Sequence, residues 1–194
     1  MKIKKILVLS AAISSIACSS AFAKNGHSLS LEASRINVDQ EFANVTYLGS
    51  DDAMLPTLGY GYKFEFNKFF IKPSVFYTFG DVEIKDTDGT NDKTTFTPSF
   101  SVEGDFGYDV TSKFGIFGTL GLMQTNYERE VFGIKDDASY MGFIFGAGVR
   151  YDIIDQLSLT AKYQVGQFDY GIQGSSEEYK VDTDTIRVGL SYNF

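Results

Sequence analysis

The sequence predicts an all-β protein whose eight strands form a closed, antiparallel up-and-down barrel. Three observations support this. After the N-terminal region, the chain divides into eight segments in which apolar and polar residues alternate. Short and long connections between these segments follow one another in turn. The 194 residues include 19 Gly, 18 Phe and 12 Tyr but only 3 Pro, a composition typical of strands with a large aromatic surface.

The N-terminal residues have the three parts of a secretory signal. Three lysines lie within the first five residues, an apolar run follows at 6–16, and Ala21-Phe22-Ala23 forms a small-x-small cleavage site. Lipidation of Cys18 is the alternative, but Ser15 stands where a lipoprotein signal has Leu. We therefore predict two parts, a signal peptide at 1–23 that is removed and an outer-membrane β-barrel domain at 24–194.

The eight segments are each 10–14 residues long, enough to cross a membrane when tilted. They are 27–36, 55–66, 69–81, 95–108, 114–126, 140–152, 157–167 and 184–194. Phe76 interrupts the alternation of the third segment. The fifth segment fits two registers almost equally well, and we place Ile116, Gly118, Leu120 and Leu122 on the outside.

The connections predict short turns at one end of the barrel and long loops at the other. The short ones are 67–68, 109–113 and 153–156, and the long, polar ones are 37–54, 82–94, 127–139 and 168–183. An even strand number then places both chain ends on the short-turn, periplasmic side. A soluble periplasmic ligand-binding barrel is the structural alternative, but eight strands cannot enclose so many bulky apolar side chains.

Aromatic residues cluster near the segment ends, as expected of interfacial girdles in a transmembrane barrel. On the turn side they are Phe64, Phe66, Phe69, Phe106, Tyr108, Phe114, Tyr151, Tyr192 and Phe194. On the loop side they are Tyr77, Phe79, Phe96 and Tyr140.

The inward face carries charges of both signs, and buried charges need partners. We predict an interior ion-pair network of Glu32, Lys63, Glu65, Lys72, Glu103, Asp105, Arg150, Lys162 and Arg187, with Arg187 directed toward Glu32. Two interpretations stay open: a plugged, structural interior, or a narrow, low-conductance porin-like channel gated by these pairs.

The acidity of the protein lies in the predicted loops. The mature chain has 25 acidic and 14 basic residues, and the four long connections hold 16 of the acids but five of the bases. Such a chain is a poor candidate for nucleic-acid binding, which needs basic surfaces. The loops serve solubility, or they contact divalent cations or a host or matrix ligand through Phe42, Tyr47, Tyr127, Phe132 and Tyr170.

The residues for catalysis or metal binding are sparse, so we predict no enzyme and no cofactor. His27 is the only histidine and belongs to the periplasmic end. No Ser-His-Asp set can therefore form at the loop end. Asp86, Asp88 and Asp92 resemble the start of a calcium loop, but the distal Glu that such loops need is missing.

The last strand, Ile186 to Phe194, alternates strictly and ends on an aromatic residue. Residues 187–194 resemble the C-terminal assembly signal of outer-membrane barrels, at Arg187, Gly189, Tyr192 and Phe194. Together with the segment pattern, the whole mature chain resembles small eight-stranded outer-membrane barrels of the OmpA, OmpX and opacity-protein type. This resemblance implies a location in the bacterial outer membrane among lipid and lipopolysaccharide, and recognition of the last strand by the barrel-assembly machinery. As the function we predict a structural or adhesin-like surface protein that acts through its acidic, surface-exposed loops, with the low-conductance channel as the alternative.

Overall fold

The computed structural model of the protein describes residues 25–42, 46–85, 93–131, 134–171 and 178–194. These residues form nine strand segments. They are β1 (Gly26–Phe42), β2 (Thr46–Phe66), β3 (Phe69–Thr78), β4 (Val82–Lys85), β5 (Lys93–Asp109), β6 (Phe114–Val131), β7 (Ile134–Ile154), β8 (Leu157–Gly171) and β9 (Glu178–Asn193). The predicted signal peptide lies outside the described residues.

All pairings are antiparallel and close into a barrel. Successive strands pair with each other except β3 and β4, β1 pairs with β9, and both β3 and β4 pair with β5. β3 and β4 are therefore two halves of one stave, meaning one complete crossing of the barrel wall. The predicted eight-stranded antiparallel barrel is confirmed, with the third stave interrupted.

The short turns lie where the sequence places them, and their residues explain their geometry. Asn67 adopts the left-handed conformation with φ of 62°, which asparagine tolerates better than most residues. In the next short turn, the Thr111 hydroxyl accepts hydrogen bonds from the backbone N–H groups of Lys113 and Phe114, at 3.2 and 3.0 Å. These local bonds let the chain reverse without leaving backbone donors unpaired.

The interruption of the third stave centres on Gly80. Its φ is +110°, a conformation that side chains rarely permit, and a Cβ there would lie 2.9 Å from Cδ2 of Leu55. The N–H of Phe79 still donates to the Pro56 carbonyl at 2.9 Å, so β2 keeps contact with the chain through the kink. Beyond it, Val82 points into the barrel with 1% of its surface exposed.

A β-bulge between Pro98 and Phe100 corrects the predicted facing of β5. The sequence predicts that Phe96 faces outward, in the loop-side girdle. The extra residue reverses the alternation, so Phe100 is 42% exposed whereas Phe96 is 1% exposed inside the barrel. Phe96 is therefore no part of an outer girdle. Tyr140 pairs with the buried Thr125 and also faces inward, which leaves Tyr77 and Phe79 of the predicted loop-side girdle on the outer surface.

The predicted register of the fifth segment is confirmed. Ile116, Leu120 and Leu122 are 40–62% exposed on the outside, whereas Phe117 and Met123 are 5–8% exposed within the barrel. Gly118 shares the outward face and pairs with Ala147 of β7. The turn-side girdle is also observed, with outward rings such as Phe66 and Phe69 near the periplasmic end.

Wherever the structure describes residues of the four long connections, those residues form strands and not irregular loops, which corrects the sequence prediction. β1 and β2 remain paired up to Phe42 and Thr46, and β6 and β7 up to Val131 and Ile134. Continued pairing satisfies backbone hydrogen bonds that an irregular loop would leave to water. The barrel wall therefore extends past the membrane as hairpins.

Along this extension the facing of apolar residues reverses. On β1, Leu31 points outward with 64% of its surface exposed, whereas Ile36 and Val38 point inward with 2% and 0% exposed. On β9, Ile186 is outward and Val181 inward, while Asp182 and Asp184 take the outer positions above Ile186. Lipid accepts an apolar outer surface and water does not. The reversal therefore marks the outer boundary of the lipid belt.

Candidate functional site

The predicted charges all point into the barrel, and six of the nine belong to two separate groups. The first group lies at the periplasmic mouth, around a cavity of about 1130 Å³. Residues of the short turns and of the adjoining strand ends line this cavity. Lys63 pairs with Glu65 at 2.8 Å, and Arg150 pairs with Asp109 at 2.7 Å and Asp152 at 3.0 Å. Lys68, Lys113 and Asp155 also line the cavity, which brings the mouth to four cations and four carboxylates and leaves it without a net charge.

The second group centres on Glu103, whose side chain is fully buried in the middle of the barrel. Its two carboxylate oxygens accept from Lys162 Nζ at 2.7 Å and from Arg187 Nη1 at 2.8 Å. Ser101 Oγ and Gln164 Nε2 also donate to it, at 2.7 and 2.9 Å. Four donors around one carboxylate supply the partners that a buried charge requires.

Phe76, the residue that interrupts the alternation of its segment, covers this carboxylate group. The ring centroid lies 4.2 Å from Lys162 Nζ and 5.0 Å from the guanidinium carbon of Arg187. On its other side, the ring lies against Gly59, where a Cβ would approach Cε1 to 2.3 Å. The aromatic face therefore contributes cation–π contacts to both cations in a dry environment.

The remaining predicted charges join neither group through an ion pair. Lys72 Nζ donates to Ser191 Oγ at 3.4 Å, and Asp105 accepts from Thr119 Oγ1 at 2.6 Å. Glu32 pairs in register with Gly189 and is 6% exposed. The predicted Arg187–Glu32 pair is wrong, because the Arg187 side chain crosses the bore to β5 and meets Glu103 there.

Above the charged centre, every stave contributes to an apolar ring that we call the collar. It consists of nine side chains, each 8% exposed or less: Ile36, Val38, Leu55, Val82, Phe96, Met123, Ile144, Phe168 and Val181. Phe96 and Phe168 meet edge to face across it, with centroids 6.0 Å apart. The bore is thus mainly polar around Glu103, apart from the buried rings of Phe70, Phe76 and Phe117, and apolar at the collar.

The collar is not among the features predicted from the sequence, although a signal for it exists. The alternation of apolar residues keeps its period of two but changes phase between Ala33 and Ile36 on β1, and between Val181 and Ile186 on β9. The prediction assigns the residues beyond those points to loops. When the apolar residues of one unbroken alternating segment change from odd to even positions, the pattern predicts a strand whose outer face passes from lipid to water.

The hairpins above the collar carry the candidate ligand-binding residues. Among those with described side chains, Arg35 and Asp52 form an outward ion pair at 2.9 Å. The predicted aromatic contact residues Phe42, Tyr47, Tyr127, Phe132 and Tyr170 have side chains outside the described part of the structure, and so does the possible calcium loop at Asp86, Asp88 and Asp92. Within the described residues, no group of three His, Cys, Asp or Glu side chains could hold a metal ion.

The last strand closes the barrel at its periplasmic edge. The N–H groups of His27 and Phe194 each donate to the other residue's carbonyl, at 3.1 and 2.9 Å. The Phe194 ring stacks on His27 and Tyr192, with centroids 5.8 and 6.5 Å apart. Among the predicted signal residues, Arg187 points inward to Glu103, whereas Tyr192 is on the lipid face.

Comparison with known proteins agrees with this architecture. The family described as outer membrane protein beta-barrel domain matches residues 6–194. The chain belongs to this family. An outer-membrane β-barrel of this family lies in the bacterial outer membrane, so a soluble periplasmic barrel, our structural alternative, is excluded. Within the described residues, no helix is long and apolar enough to cross a membrane, a finding that concerns helices alone.

Proteins similar to this outer-membrane barrel include an outer-membrane immunogenic protein and two solved surface-protein structures. The 31 kDa outer-membrane immunogenic protein of Brucella melitensis is 31% identical over 107 residues, covering 48% of this chain and 44% of that protein. The aligned region therefore spans less than half of that relative. Two solved structures share the fold: Neisserial surface protein A (14% identical, TM-score 0.60) and Ail, the attachment invasion locus protein of Yersinia pestis, in complex with the heparin analogue sucrose octasulfate (17% identical, TM-score 0.59). Each alignment covers 89% of this chain and 100% of the other.

Proposed function

We propose that this outer-membrane barrel is an adhesin-like surface protein that binds a host or matrix ligand through its four extracellular hairpins. The observation that supports the proposal most directly is the continuation of paired strands beyond the lipid belt, around the collar. A wall that is polar outside and packed inside forms a rigid base, and binding residues are commonly presented on loops held by such a base.

The charge of the hairpins favours a cationic ligand. The four long connections hold 16 acidic and five basic residues, whereas the rest of the mature chain has nine of each. A surface of one sign attracts partners of the opposite sign and repels its own. Ail was solved with a sulfated, anionic sugar. We propose that the ligand of this chain is opposite in charge to that sugar and presents basic groups.

A narrow channel is the alternative, and the collar argues against it. A constriction lined by apolar side chains excludes water and therefore ions. All eight staves contribute to the collar, whose Phe96 and Phe168 meet across the bore. The polar cavity at the periplasmic mouth would then be a vestibule and not a conduction path.

We also propose that the chain is not an enzyme. Its single histidine, His27, lies at the periplasmic edge, where Nδ1 is 2.6 Å from the Tyr60 hydroxyl. It is packed between aromatic rings and lies at the end opposite to the hairpins.

Cell binding by the purified protein tests the adhesin proposal. The barrel is placed in lipid nanodiscs and binding to cultured epithelial cells is measured at several ionic strengths. In a test variant, acidic hairpin residues become amides: Asp39, Asp51, Asp136 and Asp137 to Asn, and Glu177 and Glu178 to Gln. We expect binding to fall by about tenfold, and wild-type binding to weaken as salt rises from about 0.1 M to about 1 M.

The matched control is Asp155→Asn, which removes an acidic group in a periplasmic turn and should leave binding unchanged. Heat-modifiable migration on SDS gels confirms that each variant retains a folded barrel. Equal binding by the amide variant and the wild type would disprove the electrostatic part of the proposal. Absence of any cell binding by the folded wild-type protein would disprove the adhesin proposal itself.

Two further partners follow from the location. We propose that the last strand is recognised by the barrel-assembly machinery through Arg187, Gly189, Tyr192 and Phe194. The half-buried edge aromatic Phe194 and the lipid-facing Tyr192 support this, because their rings stack on each other on one side of the closing strand. We also propose that divalent cations link the acidic hairpins to the phosphates of neighbouring lipopolysaccharide.

A further inference from the structure

The lipid-facing wall is not uniform, because it contains an open apolar groove centred on β5 to β8. The groove has a volume of about 1040 Å³ and is almost free of polar atoms. Its floor is formed by three small outward residues on adjacent strands, Gly118, Ala147 and Ala161. Larger side chains such as Phe106, Ile116 and Tyr163 form its rims.

The pairing register explains why the wall is hollow there. Gly118 pairs directly with Ala147, so two neighbouring strands lack a bulky side chain at the same level. Phe106 is opposite Gly118 on the other side, and Tyr163 is opposite Ala147, so a bulky side chain closes each edge of the depression. A Cβ added at Gly118 would meet no heavy atom closer than a backbone oxygen at 3.8 Å, which confirms that this position opens onto free space.

The groove extends from the periplasmic rim toward the middle of the belt. Phe66, Phe69 and Tyr108 line its lower end beside the short turns, and Tyr163 and Ile186 line its upper end. It therefore lies at the depth of the inner leaflet. At its lower end the ammonium of Lys68 lies 5.9 Å from the centroid of the Tyr108 ring, and Lys113 is exposed in the next turn.

We propose that this groove binds a glycerophospholipid of the inner leaflet, with an acyl chain over Gly118, Ala147 and Ala161 and its phosphate near Lys68 and Lys113. The apolar lining suits hydrocarbon and excludes polar ligands, which would lose their hydrogen bonds there. Cations at headgroup depth match the negative charge of a phosphate, each contributing attraction near the membrane surface.

Photocrosslinking tests the site. The mature barrel is reconstituted in phosphatidylcholine nanodiscs that contain a phosphatidylglycerol carrying a diazirine in its acyl chain. After illumination, the adducts are mapped by mass spectrometry. We expect adducts concentrated on peptides that contain Phe106, Ile116 and Tyr163, compared with outward residues of β1 at similar depth.

Gly118→Leu should fill the groove from within and reduce those adducts by about tenfold, since the added side chain occupies the space of the acyl chain. Ala33→Leu adds a comparable side chain to the lipid face of β1 and serves as the matched control, with the adduct pattern unchanged. Both variants must retain heat-modifiable migration. Lys68→Glu with Lys113→Glu should remove the preference for the anionic probe over a diazirine phosphatidylcholine.

Each other outcome overturns the proposal. Adducts spread evenly around the belt would show ordinary solvation by bulk lipid. Crosslinks between two barrels through the same peptides would show that a second copy occupies the groove. A pattern unaffected by Gly118→Leu in the folded protein would show that the acyl chain lies elsewhere.

Discussion

Glu103 is the counterion of two buried cations, Lys162 and Arg187, at the centre of the barrel. Its side chain is fully buried, and it accepts hydrogen bonds from Lys162, Arg187, Ser101 and Gln164. Both cations also face the ring of Phe76. Among the described residues, Glu103 is the carboxylate with which Lys162 and Arg187 form their ion pairs. Loss of this one charge would therefore leave two buried cations without a counterion.

We expect Glu103→Gln to lower the free energy of unfolding by about 3–5 kcal/mol, because a broken buried ion pair leaves uncompensated charge. The protein is unfolded with urea in detergent or lipid, and the loss of heat-modifiable migration reports the unfolded fraction. Asp52→Asn is the control, since its pair with Arg35 is about half exposed and such pairs contribute about 0–1 kcal/mol. Equal effects of both substitutions would contradict a central role for Glu103.

Phe194 combines a backbone and a side-chain role at the closing edge. Phe194→Ala keeps the backbone pair with His27 but removes the ring. If the last strand carries an assembly signal, the amount of barrel in the outer membrane should fall sharply in cells. The unfolding free energy of refolded protein should change by only about 1 kcal/mol, the usual worth of an aromatic pair. Phe114→Ala, in the same girdle but far from the C-terminus, is the control, and equal cellular losses would argue against a signal.

Among the strands, glycines fall into two groups that the sequence does not distinguish. Gly146 faces inward on β7, where a Cβ would lie 2.1 Å from the carbonyl oxygen of Tyr163 and 2.9 Å from Cα of Gln164. Gly118 faces outward on β6 over the lipid groove and is free of such contacts. Inward glycines thus let adjacent strands and interior side chains approach closely in a narrow barrel.

This difference predicts opposite results for one chemical change at two neighbouring sites. Gly146→Ala should lower the unfolding free energy by about 1–3 kcal/mol, because the backbone must shift to relieve the overlap. Gly118→Ala should leave stability unchanged or raise it by up to about 1 kcal/mol, since alanine loses less entropy in a strand than glycine. Urea unfolding of both variants in the same lipid provides the comparison. A destabilised Gly118→Ala would be inconsistent with open space at that position.

In the whole molecule, one barrel wall passes through two solvents. Within the lipid belt the outer surface is apolar and the bore contains the Glu103 group. Beyond the belt the outer surface is polar and the bore contains the collar. Each half follows the same rule, that apolar side chains avoid water, but the rule selects opposite faces because the outside medium changes.

The collar predicts a barrel that is silent in planar bilayers and that opens when the collar is enlarged. Phe96→Ala combined with Phe168→Ala removes the two rings that meet across the bore and should produce ion conductance. Phe143→Ala, on the lipid face with 73% of its surface exposed, is the control and should stay silent. Reproducible wild-type openings would revive the channel alternative. Folded but non-conducting double variants would show that the block lies elsewhere.

The sequence by itself determined the fold class, the eight staves, the short turns and the inward facing of every predicted charge. These features depend on a period of two and on turn chemistry, which are local in the chain. The tertiary structure decided which charges meet, where the bulge reverses β5, and that the predicted loops are strands around a collar. Glu103 lies 59 residues from Lys162 and 84 from Arg187. Such contacts form only when closure brings distant staves face to face, so no local pattern determines them.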